Sequence, residues 1–368
     1  MKIYFSITFF LLTLISCKKD SELSNESNNN GLHMVTYQLF EPPGWTCVID
    51  SSSKFYCSNA IAIDTNEVLW IGGNYRFGKY ENNIFTKYPE VTNMLNFYMD
   101  ISSIVKDKSN NLWIGSNYTD VVGGDSYTRR GVIKFDGQNF TQYDEYNSDI
   151  HNGIIFSIAI DDSNNKWIGT NNSIVKFDGT TWSFFDSMNS PLKEFYPIKT
   201  LGNIVTIGGH NALVLFDDAV WQVLNQSNSS FPSSGVRIME HDNFGNLWFV
   251  GYHSTVLWKF DGVNFTSFSI PIISPLNPNF GLYANGEEYF SIKIDNQNNI
   301  WLGGYGKLVK FDGTIWTNFS APSYIPGGDP RLPTVGVLQY SIIRDMVIKS
   351  DSSIWVASSG FALMKFKE

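Results

Sequence analysis

The sequence predicts an all-β fold, a seven-bladed β-propeller of four-stranded antiparallel blades, and three observations carry that expectation. First, the 368 residues are 43% hydrophobic and 15% aromatic but only 17% charged, which excludes a disordered chain and argues against a helical bundle. Second, aromatic and β-branched runs are broken by Asn, Asp and Gly, the residues of tight turns. Third, one pattern recurs seven times: Ile-x-Ile-Asp, a polar turn, Leu-Trp-Ile-Gly, a loop, Val-x-Lys-Phe-Asp-Gly, then aromatic-Thr-x-aromatic.

The copies justify each element in turn. The first runs Ile61–Tyr88 and contains Leu69-Trp70-Ile71-Gly72. The second has Leu112-Trp113-Ile114-Gly115 and Lys134-Phe135-Asp136-Gly137, and the third Lys166-Trp167-Ile168-Gly169 and Lys176-Phe177-Asp178-Gly179. The fourth is degenerate, with Thr206 in place of the Trp and Leu215-Phe216-Asp217-Asp218 in place of Lys-Phe-Asp-Gly. The fifth has Leu247-Trp248 and Lys259-Phe260-Asp261-Gly262, the sixth Ile300-Trp301-Leu302-Gly303 and Lys310-Phe311-Asp312-Gly313, and the seventh Ile354-Trp355-Val356. The equivalent positions lie ~48 residues apart, a propeller-blade spacing.

Within one copy Leu69 and Ile71 face one side of the sheet and Trp70 the other. Both sides are apolar and must be covered, which radial stacking around a channel achieves. The seventh copy reaches Glu368 after its third strand, and the strand-like segment 34–40 precedes the first copy. That segment is expected to be the outer strand of the last blade, closing the ring and removing two free sheet edges. Of the 11 Trp, those at 70, 113, 167, 248, 301 and 355 fall in second strands. Trp182, Trp221 and Trp316 fall in fourth strands, Trp258 in a third strand, and Trp45 outside the repeat.

These copies resemble the two-component regulator propeller repeat, over about residues 34–368 and most weakly in the fourth copy. The resemblance implies a seven-bladed propeller of the kind found in periplasmic sensors implicated in glycan sensing. It is expected to carry over a fold and a habit of binding, not a signalling activity. The repeats also resemble, more faintly, those of the streptogramin lyases. That likeness implies a lyase with a His and carboxylate set around a metal, and no such set stands out among the motifs of this sequence.

The N-terminus is an address. Lys2 supplies a positive charge and Ile3 to Ile15 an apolar stretch too short to span a bilayer. Leu14-Ile15-Ser16-Cys17 resembles the bacterial lipoprotein signal, which implies a signal peptide over 1–16, cleavage before Cys17 and lipidation of that Cys. Several acyl chains on one residue make attachment effectively permanent. Residues 17–33 are polar and of low complexity, a tether for a single domain over 34–368. The expected location is the cell envelope, on either leaflet of the outer membrane, and the charged run after Cys17 resembles surface-lipoprotein signals of Bacteroidota. Cys47 and Cys57 remain; an even pair in an oxidising compartment suggests a disulfide, with two separately buried thiols as the alternative.

Function is expected on one face. The turns within the first and last strand pairs are short and repetitive, whereas the other connections vary and share a face. Long examples are 41–58, 116–131, 144–155, 269–290 and 320–342, and long loops on a rigid scaffold carry binding. Candidate contact residues are Trp45, Arg76, Tyr118, Tyr127, Arg129, Arg130, His210, Tyr252, His253, Tyr305 and Arg331. His210 and His253 occupy nearly equivalent loop positions in adjacent blades, without an accompanying carboxylate cluster in the sequence. The Asp-x-x-Asn-Asn turns lack the dense carboxylates of a calcium loop. No phosphate loop, nucleophile elbow or paired-carboxylate motif appears, so no catalytic residue, metal or cofactor is expected. A net charge of −9 without a basic patch makes nucleic acid a poor partner. The expectation is a non-enzymatic, lipid-anchored module that binds a glycan or an envelope protein, the alternative being a lyase or hydrolase acting at the channel mouth.

Overall fold

A computed structural model describes residues 45–48 and 58–368, apart from 74–75, 95–98, 123–124, 151–153, 172, 193–196, 272–287, 320–341 and 360–362. It holds seven four-stranded antiparallel sheets. The short strand β1 (Trp45–Cys47) comes first in the chain. Blade 1 follows, with β2 (Ala60–Ile63), β3 (Leu69–Gly73), β4 (Arg76–Glu81) and β5 (Ile84–Lys87). The one helix among the described residues, α1 (Pro89–Met94), leads to blade 2, made of β6 (Met99–Lys106), β7 (Leu112–Val122), β8 (Asp125–Phe135) and β9 (Phe140–Tyr143). Blade 3 contains β10 (Ile155–Ile160), β11 (Lys166–Thr170), β12 (Ile174–Phe177) and β13 (Trp182–Phe185). Blade 4 contains β14 (Ile198–Leu201), β15 (Ile204–Gly208), β16 (Ala212–Phe216) and β17 (Trp221–Asn225). Blade 5 contains β18 (Ile238–His241), β19 (Leu247–Val250), β20 (Val256–Phe260) and β21 (Phe265–Ser269), and blade 6 β22 (Tyr289–Ile294), β23 (Ile300–Gly304), β24 (Lys307–Phe311) and β25 (Trp316–Asn318). Blade 7 is β26 (Ile343–Ile348), β27 (Ile354–Ser358) and β28 (Leu363–Phe366), completed by β1.

The first strand of each blade is innermost. Each touches the first strand of the next blade, and β26 touches β2, so the ring is closed. The core is therefore divided among seven inter-blade clusters. Trp70 packs with Ile104, Ile114 and Phe135 of blade 2, while Leu69 and Ile71 pack with Trp355 and Leu363 of blade 7. This is the two-sided burial that the alternation in Leu-Trp-Ile demands.

Ring closure uses a different segment from the one expected. The N-terminal strand is Trp45–Cys47, with Trp45 opposite Phe366 and Cys47 opposite Met364; residues 34–40 lie outside the described residues. Trp45 thus takes the position held by Trp182, Trp221 and Trp316, which face Phe177, Phe216 and Phe311. It belongs to the repeat, and all 11 tryptophans now have blade positions. The 116–131 segment is also not a loop. It forms an extended hairpin, with β7 and β8 paired from Leu112↔Phe135 out to Val122↔Asp125.

The repeated residues have repeated jobs. The indole Nε1–H of Trp70, Trp113, Trp167, Trp248 and Trp301 donates to the carboxylate of the Asp six residues earlier, at 2.8–3.0 Å. The same carboxylate accepts backbone N–H groups of its turn, as Asp161 does from Asn165 at 2.8 Å. One side chain thereby caps the first turn and satisfies a buried indole. The third-strand Lys lies over the Trp ring in blades 3, 5, 6 and 7, at 5.1–5.5 Å. The Trp-Ile-Gly glycine lets the next blade approach: a Cβ at Gly169 would meet Ile198 Cδ1 at 2.9 Å. The Phe-Asp-Gly turns take left-handed backbone, as at Gly313 with φ +99°.

Blade 4 lacks the indole because Thr206 replaces it. His241 of blade 5 covers the place, its Nε2 3.4 Å from Thr206 Oγ1. Asp218 occupies the turn-glycine position at φ 74° and receives Lys176 of blade 3 at 2.6 Å.

Candidate functional site at the channel mouth

Strand direction places the Asp-x-x-Asn-Asn and Phe-Asp-Gly turns at one end of the ring, and the second-to-third-strand loops and inter-blade connections at the other. At that loop end the innermost strands are irregular in a shared way. Pairing slips by one residue at Ser102, Phe156, Phe290 and Arg344, in blades 2, 3, 6 and 7. A bulge turns a side chain out of the period-2 alternation, and such features gather at functional rims. In blade 5 the residue at this level is Arg237, whose N–H donates to Val250 O, and in blade 1 it is Asn59, bonded to Gly72 O.

These positions assemble a continuous stack. His210 lies on Tyr252 with ring centroids 4.2 Å apart and planes 15° from parallel. The Arg237 guanidinium covers the Tyr252 ring at 5.5 Å and the Phe290 ring at 4.5 Å. Arg344 covers Phe290 at 5.2 Å. The arc His210–Tyr252–Arg237–Phe290–Arg344 crosses blades 4 to 7, and the charge of Arg344 favours the ionised form of Asp100 in blade 2. Asp100 is solvent-exposed at the rim, yet the surrounding walls push its carboxyl above the ordinary range. Asn59, which donates to it, and Arg344 pull in the opposite direction.

A carboxylate sits inside the arc. Glu288 Oε1 is 2.8 Å from His253 Nδ1, and Glu288 Oε2 is 3.6 Å from Arg237. His253 is 78% exposed and takes a left-handed φ of 47°, which holds its ring at the rim. Below the rim a charged ladder follows the innermost strands: Lys199 to Glu240 at 2.7 Å, Glu240 to Lys293 at 3.8 Å and Lys293 to Asp345 at 3.7 Å. Asp345 also accepts the Ile61 N–H at 3.1 Å. Burial raises the Glu240 carboxyl, but Lys199 and Lys293 outweigh it and hold the group below its ordinary range. Burial lowers the Lys293 ammonium, and Asp345 with Glu240 more than restores it.

The expected contact residues distribute unevenly. His210 stacks on Tyr252 at the mouth, and His253, the next residue, has Glu288 as a carboxylate neighbour that the sequence reading did not anticipate. Tyr305 bridges to Ile342 between blades 6 and 7, and Arg76 opens β4 at the loop end of blade 1, opposite Gly73. Tyr118, Tyr127, Arg129 and Arg130 lie on the hairpin arm, with Tyr118 opposite Arg129, Asp120 opposite Tyr127 and Asn117 opposite Arg130. Trp45 is an outer-strand residue at the ring closure and leaves the loop-face set. Cys17, Cys57 and Arg331 lie outside the described residues, so the Cys47–Cys57 pairing does too.

The sequence reading missed Arg237, Phe290, Arg344, Glu288, Asp100 and Phe156. A signal was present in four blades, where an apolar residue and a Ser or Asp flank the bulged position: Ile101-Ser102-Ser103, Ile155-Phe156-Ser157, Tyr289-Phe290-Ser291 and Ile343-Arg344-Asp345. Among the described residues, no three His, Cys, Asp or Glu side chains gather as a metal site, and no helix is long and apolar enough to cross a membrane.

The fold and its mouth thus define a seven-bladed β-propeller whose loop end concentrates aromatic and charged side chains. Residues 97–118, the inner two strands of blade 2 and the turn between them, match the two-component regulator propeller family. No curated protein matches the chain in sequence. Among solved structures it is similar to a catalytically inactive virginiamycin B lyase from Staphylococcus aureus with quinupristin, at 15% identity and TM-score 0.64, over 88% of this chain and 99% of that one. It is also similar to the extracellular domain of a putative hybrid two-component system from B. thetaiotaomicron, at 17% identity and TM-score 0.59, over 85% of this chain and 40% of that one. YCF48 bound to D1 peptide aligns at 12% identity and TM-score 0.60, over 90% of this chain and 100% of that one. At these identities the likeness is one of fold.

Proposed function

We propose that the protein is a non-enzymatic binding module of the cell envelope, tethered through a lipid on Cys17, that holds a glycan or an envelope protein on its loop face. The observation that carries this reading is the asymmetry between the two ends of the ring. At the turn end, polar side chains are spent on the fold itself: Asp136, Asp178, Asp261 and Asp312 each accept backbone N–H groups of their own turns. At the loop end, the stack from His210 to Arg344 presents aromatic faces and guanidinium groups beside the channel opening. Aromatic and Arg side chains set on a rigid scaffold are the composition of contact surfaces. The extracellular-domain neighbour and the matched repeat support an envelope setting by analogy of fold.

The test is binding of the mature chain to a glycan array and to solubilised envelope proteins, repeated with Tyr252→Ala/Phe290→Ala. The expected result is a partner lost in the double variant and retained in the turn-end variant Asp312→Asn. A partner retained by the loop-face variant and lost by the turn-end variant would overturn the reading. For the anchor, Cys17→Ser should move the protein from the membrane to the soluble fraction.

A second reading, a lyase or hydrolase at the mouth, is favoured by one observation. His253 and Glu288 are within hydrogen-bond distance at 2.8 Å, the relation a general base needs with its orienting carboxylate. Bond cleavage in the captured ligand, lost in His253→Ala, would establish it.

A further inference from the structure

We propose that the turn end of blades 4 to 6 is a membrane-contact face, on which the protein lies against the bilayer that holds its lipid while the channel mouth at the loop end points away. This deepens the binding reading above and rests on its lipid anchor.

The argument begins with exposed apolar side chains. Leu201, Ile204 and Val220 of blade 4, Phe244 and Val263 of blade 5 and Ile315 of blade 6 are all exposed, and all stand in or beside the turns of one end of the ring. Phe244 is 79% exposed and Val263 81%. Ile84 of blade 1 is also exposed at that end but stands apart from the three blades. Single exposed apolar residues are ordinary on a surface, whereas a group of them on neighbouring units marks a contact site.

The fold does not require these residues. In the first turn, the position of Phe244 is held by Asn66, Ser109, Ser163, Gln297 and Asp351 in blades 1, 2, 3, 6 and 7. In the second turn, the position of Val263 is held by Gln138, Thr180 and Thr314 in blades 2, 3 and 6. The turn itself asks only for a backbone N–H at the tip. Asp242 accepts that of Phe244 and Asp107 that of Ser109, both at 2.9 Å. The tips are also tied to one another. The Asn243 N–H donates to Asn298 Oδ1 at 3.0 Å, joining blades 5 and 6, and Leu201 reaches the turn of blade 5, where a Cβ on Gly245 would lie 3.3 Å from its Cδ2. A contact made through them therefore pays little ordering entropy.

Two observations choose a bilayer as the occupant. The first is where the N-terminal segment meets the ring. β28 runs toward the turn end, and β1 is antiparallel to it with Trp45 opposite Phe366, so the chain enters β1 at the turn end. Trp45 follows Cys17 by 45 − 17 = 28 residues, a length that spans about 30 Å as a random coil. A lipid on Cys17 thus keeps this end, not the loop end, close to the surface. The second is the form of the patch, apolar tips on separate turns rather than one groove. Tips of that kind enter the interfacial layer and add to the hold of a lipid chain. Charge plays no part in the attraction. Asp217, Asp261 and Asp312 are occupied with N–H groups of their own turns, and Lys108, Lys176 and Lys310 are paired with Asp162, Asp218 and Glu368.

The experiment places the lipidated full-length protein in phosphatidylcholine vesicles that carry a diazirine in the acyl chain, and maps the cross-links after illumination. The turns holding Phe244 and Val263 should be labelled about fivefold or more above Met188, which is as exposed but lies at the loop end. Phe244→Ser/Val263→Ser should lose most of that labelling and melt within about 2 °C of the parent. Added phosphatidylglycerol or salt should leave the labelling unchanged. Labelling of the turns no stronger than that of Met188 overturns the proposal, and if Cys17→Ser is at the same time released from the membrane, the anchor stands without the face. Retention of Cys17→Ser on vesicles with the turns still labelled would sink the anchor and keep the face. A concentration-dependent dimer of Cys17→Ser that Phe244→Ser abolishes would assign the face to a second copy of the chain and overturn the membrane contact.

Discussion

Lys199 Nζ lies 2.7 Å from Glu240 Oε2 across the boundary between blades 4 and 5, and both residues occupy the inner-strand position opposite the repeat Trp or its Thr206 replacement. The equivalent positions are Ala62, Val105, Ala159 and Val347 in blades 1, 2, 3 and 7, and Lys293 in blade 6. At this position three neighbouring blades are charged and the other four are apolar.

Glu240→Gln should therefore destabilise the fold by about 1–3 kcal/mol, because it leaves Lys199 and Lys293 facing each other without their shared carboxylate. The pH dependence follows from the directions of the shifts. Glu240 is held below its ordinary value of 4.5, so its contribution is present above that pH and lost as pH falls further. Lys293 is held above 10.5, so its contribution is present below that pH and lost as pH rises beyond it. Denaturant unfolding of parent and variant from pH 3 to 11 checks this: the gap between them should narrow at the acid end.

His241 gives a second, milder acid sensitivity. Burial holds its imidazole below the ordinary 6.5, ahead of the opposing pull of Glu240, because it fills the place of the missing indole beside Thr206. The neutral ring is the form that fits. Stability should be complete above about pH 6.5 and fall as pH drops through the His range toward the lower folded-state value. In His241→Phe that step should disappear from a plot of melting temperature between pH 7 and 5; its persistence would assign the step to another group.

The repeat glycines separate two kinds of cost. At Gly169 the added methyl of Gly169→Ala meets Ile198 of the next blade, and overpacking should cost about 1–3 kcal/mol. At Gly313 no atom lies within 4 Å of an added Cβ, so Gly313→Ala should cost about 1–2 kcal/mol through its φ of +99° alone. Gly313→Asn should recover part of that loss, since Asn tolerates left-handed backbone. Asp218 already occupies the corresponding turn of blade 4 at φ 74°. Equal melting temperatures for the Ala and Asn variants would contradict the backbone account.

Much of this was legible in the sequence, and the reason is repetition. Trp, Gly, Lys and Asp each do one job that recurs from blade to blade, so their spacing gives blade number, strand order and the two-sided core. The arm over 116–131 was less legible because Asn117-Tyr118-Thr119-Asp120 lacks an apolar alternation. The mouth was hidden for a different reason. His210, Tyr252 and His253 stand in loops of unequal length and could be suspected, but Arg237, Phe290 and Arg344 are single residues in separate blades. The bulges move Phe290 and Arg344 out of the period that identifies a strand's faces. The closing strand was misplaced because Met34-Val35-Thr36-Tyr37-Gln38-Leu39-Phe40 has the richer β-forming composition, while Trp45-Thr46-Cys47 is only three residues long.

That closing strand makes the final prediction. β1 covers the outer edge of β28 through Trp45↔Phe366, Thr46↔Lys365 and Cys47↔Met364, and the Val48 N–H adds a bond to Leu363 O at 3.2 Å. Without it, β28 would present an unpaired edge with Leu363, Met364 and Phe366 beside it, and such an edge templates association with other chains. A chain beginning at residue 41 should melt with the full-length protein. A chain beginning at residue 49 should melt several degrees lower, at ~2–4 °C per kcal/mol for a domain of this size, and should show concentration-dependent light scattering. If the chain beginning at 41 is already destabilised to the same extent, the 34–40 segment contributes to closure. If neither truncation changes melting or scattering, the pairing of Trp45 with Phe366 does not hold the ring shut.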